Sequence, residues 1–114
     1  MYEKWKIKWS YIAEDDITSI RDYLVAHRGV DVASYVLSEM FTTVERLKIF
    51  PRLGSNMSSR LGVETNLRSV FAFKTYSIIY DIDEDDRAVE ILRIWHNKRN
   101  PRNLKKSMKN HKDK

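Results

Sequence analysis

Lys4-Trp5-Lys6-Ile7-Lys8-Trp9-Ser10-Tyr11-Ile12-Ala13-Glu14-Asp15-Asp16-Ile17 changes its periodicity halfway along. From Lys4 to Tyr11 the residues alternate. Trp5, Ile7, Trp9 and Tyr11 share one face, and Lys4, Lys6, Lys8 and Ser10 share the other, as in a half-buried strand. The lysine row suits either phosphate contact or protection of a sheet edge, and the protective role is favoured. From Ala13 onward the spacing becomes helical: Ala13, Ile17, Ile20 and Leu24 form one apolar stripe. A strand that runs straight into an amphipathic helix points to a mixed α and β domain.

Working outward, Glu14, Asp15 and Asp16 occupy the first helical turn, where carboxylates complement the helix dipole. Successive helical residues diverge by about 100°, so these three do not share a metal ion. His27-Arg28-Gly29 ends the helix. Asp31 is placed to cap a second helix with the stripe Ala33, Val36, Leu37, Met40, Phe41, Val44 and Leu47, closed by Pro51. The pair reads as an antiparallel helix hairpin. Residues 51–66 form the longest irregular stretch, and loops of that length are often functional or mobile.

Strands are expected at Leu67–Phe73 and Tyr76–Ile82, joined by Lys74-Thr75. After the charged turn Asp83–Arg87 comes Ala88–Trp95, apolar on both faces as in an interior strand. The expected fold class is α+β: an N-terminal strand, a two-helix hairpin, then three antiparallel strands, in one sheet with the helices packed on one face. A basic tail follows. Residues 1–96 form the domain and residues 97–114 the extension.

Charge divides the same way. Met1–His96 carries 13 basic and 15 acidic residues, a net of −2. Asn97–Lys114 carries 8 basic residues and one acid, a net of +7, and the sum is the overall +5. Such a tail suits a polyanion or an acidic partner, and a solvated terminus is the alternative. Zero cysteines exclude disulfides, thiolate metal sites and a cysteine nucleophile. Without a membrane-length apolar run or a signal-peptide pattern, the expectation is a small cytoplasmic domain.

Chemistry-bearing motifs are few. His27, His96 and His111 have no partners at metal-ligand spacing. Phosphate loops, dinucleotide fingerprints and nucleophile elbows are absent, so no cofactor is expected. The carboxylates from Asp81 to Asp86 belong to a polar hairpin tip. What remains is a basic set of Arg68, Arg93, His96, Lys98 and Arg99, which antiparallel strands can bring within side-chain reach. Arginine and lysine suit phosphate or carboxylate, and histidine suits proton transfer. Alternatively, Arg68 and Arg93 pair with acids on neighbouring strands.

Several local signatures, taken in order, resemble the RelE/ParE superfamily of type II toxin–antitoxin toxins. These are Trp9-Ser10-Tyr11-Ile12-Ala13 with Asp16-Ile17, Ile20 and Tyr23-Leu24, and then Leu47-Lys48-Ile49-Phe50-Pro51-Arg52-Leu53-Gly54. Leu67-Arg68, Tyr76-Ser77-Ile78-Ile79-Tyr80 and Ile91-Leu92-Arg93-Ile94-Trp95-His96 with Arg99 follow. The resemblance covers about residues 5–102 and implies a compact α+β toxin neutralised by a cognate antitoxin, in a hetero-oligomer. The tail residues Arg102, Lys105 and Lys106, with Arg93 and Lys98, then become target or antitoxin contacts.

Superfamily members divide by target. For ribosome-dependent cleavage of messenger RNA, Arg68, Lys98 and Arg99 would stabilise charge and His96 would transfer a proton. RNA-cleaving members often carry more basic residues around the second strand and a tyrosine near the C-terminus. This chain offers only Arg60 and Arg68 there, and no tyrosine follows Tyr80. His96 followed by a basic segment is closer to the ParE-like branch, whose target is DNA gyrase. There Arg68, His96 and Arg99 would mark a contact surface rather than a reaction centre, so whether the chain is an enzyme stays open. A degenerate member acting only as a binding module is the third alternative.

Overall fold

Ser10 decides where the first strand stops. In the computed structural model, which describes residues 3–73 and 75–98, its hydroxyl accepts from the Ala13 amide at 3.0 Å and donates to the Leu92 carbonyl at 2.9 Å. Strand β1 therefore covers only Lys6–Trp9, and helix α1 runs from Tyr11 to Arg28. Tyr11, expected on the buried face of the strand, is instead the first helical residue and is 86% exposed. The N-cap wins because it satisfies an otherwise orphaned helix amide, which extending the strand past Trp9 would leave open.

Helix α2 (Val30–Ile49) follows after Gly29 alone. Gly29 has φ of +94°, a conformation natural to glycine, and its amide donates back to Leu24 and Val25 carbonyls. Asp31 thus lies inside the first turn of α2 rather than capping it, and the N-cap is Gly29 without a side-chain bond. Phe41 also departs from the expected core stripe. It is exposed and meets Trp9 edge-on, with ring centroids 6.0 Å apart.

The stretch from Pro51 to Asn66 holds more structure than its composition suggests: a two-residue strand β2 (Ser55–Asn56) and one helical turn α3 (Ser58–Leu61). Strands β3 (Arg68–Phe73), β4 (Tyr76–Asp83) and β5 (Ala88–His96) complete a five-stranded sheet in the order β1-β5-β4-β3-β2. β3, β4 and β5 are antiparallel neighbours as expected. β1 lies parallel to β5, from Lys6 opposite Ala88 to Trp9 opposite Ile91, with the helix hairpin as the crossover that a parallel pair requires. β5 is accordingly interior over that stretch. At the β1 edge, Lys8 pairs with Asp86 and Lys6 reaches the same carboxyl at 3.3 Å; the Lys8 bond, and then the Lys6 bond, hold it below its usual range.

Both faces of the sheet are covered. On one, Ile78, Tyr80, Val89, Ile91 and Ile94 pack with Ala13, Leu24, Val36, Met40, Val44 and Leu47 of the hairpin. On the other, Met57, Leu61, Leu67, Ile79, Leu92 and Trp95 form a smaller core contributed partly by α3. A bulge serves both. Ile79 is opposite Arg93 and Tyr80 opposite Ile91, so Leu92 has no cross-strand partner. The extra residue switches the parity of β5, and Ile91 and Ile94, three apart, both reach the hairpin core.

Tyr80 fastens the irregular segment to the sheet. Fully buried, its hydroxyl donates to the Pro51 carbonyl and accepts from the Gly54 amide, each at 2.7 Å. A Cβ on Gly54 would sit 2.7 Å from the Ser69 carbonyl oxygen and 2.8 Å from the Tyr80 hydroxyl, which is why no side chain fits there.

Candidate functional site

β5 outruns β1. Past Ile91 no strand among the described residues lies along its outer edge, and α1 supplies hydrogen-bond partners there. Besides the Ser10 bond, Asp16 Oδ2 accepts from the Ile94 amide at 2.9 Å and from Arg93 Nε at 2.9 Å, while Oδ1 accepts from Arg93 Nη2 at 3.2 Å. These side chains are only 12% and 16% exposed for Arg93 and Asp16 respectively. The guanidinium also lies 5.4 Å from the Trp95 ring centroid. Arg93 does pair with an acid, then, but the acid comes from a helix rather than from a neighbouring strand. Asp16 has a cross-element role as well as its place near the start of the helix.

Beyond this pair, an open cleft of about 340 Å³ separates α1 from the ends of β4 and β5. Asp16, Ser19, Ile20 and Tyr23 line it from α1, facing Tyr76, Ile94 and His96. Tyr76 and His96 are cross-strand partners whose rings meet edge to face at 5.2 Å. Tyr23 stacks on His27 at 4.3 Å, and His27 Nδ1 donates to the Tyr23 carbonyl at 2.9 Å. Burial, with a smaller contribution from Tyr23, pushes the Tyr76 phenol above its ordinary value. The Lys98 amide donates to His96 Nδ1 at 3.2 Å, so the neutral ring carries its proton on Nε2.

His96, Lys98 and Arg93 therefore share one end of the sheet. Arg68 does not join them. β3 and β5 are separated by β4, and Arg68 is opposite Tyr80 whereas His96 is opposite Tyr76. Four residues along a strand and two strand spacings place Arg68 about 16 Å from His96 at the backbone. Its Nη1 donates to the Gly54 carbonyl at 2.6 Å, beside the Tyr80 anchor. Arg99, Arg102, Lys105 and Lys106 lie outside the described residues.

Asp16, Tyr23 and Tyr76 were the residues that sequence reasoning left without a role here. All three fall within the resemblance motifs, but bringing them together takes both the β4–β5 register, which pairs Tyr76 with His96, and the packing of α1 against β5, which supplies Asp16 and Tyr23. Among the described residues, no cluster of three His, Asp or Glu is arranged to hold a metal ion, and no helix is long and apolar enough to cross a membrane.

The family model for ParE toxins of type II toxin–antitoxin systems matches residues 7–101. Among solved structures, the chain is similar to one from the chromosomal ParDE toxin–antitoxin system of P. aeruginosa. The TM-score is 0.67 at 20% identity, covering 83% of this chain and 98% of that one. It is also similar to a chain of the RelBE2 toxin–antitoxin complex from Mycobacterium tuberculosis. There the TM-score is 0.52 at 19% identity, over 82% of this chain and 98% of the other. At these identities the likeness is one of fold. No curated protein matches significantly in sequence. By the span of the family match, borne by a fold of the same kind, this chain belongs to the ParE toxin family of type II toxin–antitoxin systems.

Proposed function

We propose that the chain arrests growth by inhibiting DNA gyrase and that a cognate antitoxin, bound in a hetero-oligomer, neutralises it. The observation that favours this over RNA cleavage is the separation of Arg68 from His96. Cleavage by a 2′-hydroxyl needs a proton acceptor, a proton donor and phosphate-stabilising cations around one phosphorus atom. Arg68 is held on the Gly54 carbonyl at one end of the sheet, and His96 sits at the other. Arg93 is engaged with Asp16. Such a distribution suits a surface that binds a partner better than a centre that transfers protons.

In this reading His96, Lys98 and Arg99 begin the contact surface, and Arg102, Lys105 and Lys106 extend it electrostatically toward gyrase, its DNA or the antitoxin. Arg68 contributes by fixing the 51–56 segment. Purified chain added to a gyrase supercoiling reaction lowers supercoiling in proportion to dose, and supercoiling that persists at excess chain removes the proposal. Reading-frame-dependent messenger RNA cleavage in a translating extract, lost on His96→Ala with the fold retained, would assign the chain to RNA cleavage instead.

A further inference from the structure

We propose that the cleft between α1 and the ends of β4 and β5 receives the guanidinium of an arginine side chain presented by a partner polypeptide. Among the described residues no lysine or arginine lines it. Its walls are the ring of Tyr23, 57% exposed, and the edge-to-face pair Tyr76 and His96. Asp16 contributes the carboxylate, and Ser19 at the rim adds a hydroxyl that accepts as well as donates.

Ring faces carry negative potential and attract cations, most strongly where water is partly excluded. The Tyr76 phenol stays neutral well into the alkaline range because burial disfavours its anion, so it offers a ring face and an acceptor oxygen. Among the described residues Asp16 Oδ1 accepts one hydrogen bond, from Arg93, and a carboxylate oxygen can accept a second, while Asp16 lines the cleft. Stacking on His27 fixes Tyr23 before any ligand arrives. A flat guanidinium fits between rings and donates in plane to a carboxylate, whereas an ammonium is more strongly hydrated and gains less there. The cleft has room for that group and part of its stem.

The inference is independent of the gyrase reading, since its test measures binding of a small cation rather than supercoiling. Nα-acetyl-arginine amide, a stand-in for arginine within a polypeptide, is titrated into the full chain and followed by two-dimensional NMR. The neutral isostere Nα-acetyl-citrulline amide is titrated in parallel. Arginine amide is expected to shift Tyr23, Tyr76, Ile94 and His96 saturably, and citrulline amide to leave them in place. Tyr23→Leu, an exposed change that leaves the fold intact, weakens binding about fivefold. Equal shifts from the citrulline compound, undiminished affinity in Tyr23→Leu, shifts centred on the exposed acids Glu14, Asp15 and Asp22, or no localised shifts at all would each overturn the assignment.

Discussion

Asp16 and Arg93 are 77 positions apart in the chain and meet through a two-pronged ion pair, with the Ile94 amide as a third donor to the same carboxylate. Among the described residues, the pair takes the place of a neighbouring strand along β5 once β1 has ended. It sets the spacing between α1 and the sheet, and so fixes the wall of the cleft that contains Tyr76 and His96.

Removing the carboxylate should therefore cost far more than removing its neighbour. Asp16→Ala strands a largely buried guanidinium and an amide, and is expected to destabilise by about 3 kcal/mol. Asp15→Ala removes only an exposed charge just past the first turn of α1 and should cost less than about 1 kcal/mol. Urea denaturation of both variants gives the comparison, and equal losses would contradict it.

Gly54 should tolerate no side chain. Gly54→Ala places a methyl 2.7 Å from the Ser69 carbonyl and 2.8 Å from the Tyr80 hydroxyl. The expected cost is about 2 kcal/mol, because backbone has to shift. Pairing it with Tyr80→Phe relieves the hydroxyl contact but not the carbonyl one, so the double variant stays destabilised in thermal melts.

Stability should fall on the alkaline side. Burial raises the pKa of Tyr80, against smaller opposing effects of its Gly54 hydrogen bond and of Arg68 and Arg52, and burial also raises that of Tyr76. A folded-state pKa above the unfolded one means that the folded chain holds its proton longer. The stabilisation is complete below the ordinary tyrosine value of about 10 and declines as pH rises through the folded value. Tyr80→Phe should lose about 1–3 kcal/mol at neutral pH, leaving the Pro51 carbonyl and Gly54 amide unpartnered, and should show a shallower alkaline decline. Denaturant midpoints measured between neutral and strongly alkaline pH test both parts.

The basic extension should matter for binding and not for folding. A chain ending at Pro101 is expected to keep its thermal midpoint and to bind partner or target more weakly, with a reduced dependence on salt. Unchanged affinity and salt dependence would make the extension a bystander.

Periodicity revealed most of the fold. The Trp5-Ile7-Trp9 alternation, the two helical stripes and the three late strands stand in the sequence because each buries a continuous apolar face. What it concealed depends on tertiary choices. Ser10 ended β1 early because a cap outcompeted one more strand residue. α3 and β2 were hidden because Met57 and Leu61 give a single helical spacing, too short a run to declare a period, and only packing on Ile79, Leu92 and Trp95 unites them with Leu67. At the site, His96 and Lys98 were visible as residues, but the separation of Arg68 follows from β4 lying between β3 and β5. The partnership of Asp16 with Arg93 follows from the bulge and from β1 ending before β5 does. No local pattern encodes either.

The central claim, that this ParE-family chain stops growth at gyrase, is tested most directly by supercoiling of relaxed plasmid by purified gyrase in the presence of the purified full chain. Dose-dependent loss of supercoiled product, reversed by the protein encoded by the neighbouring open reading frame, is the predicted result. Full supercoiling at excess chain, with the same preparation folded and able to bind that protein, would contradict it.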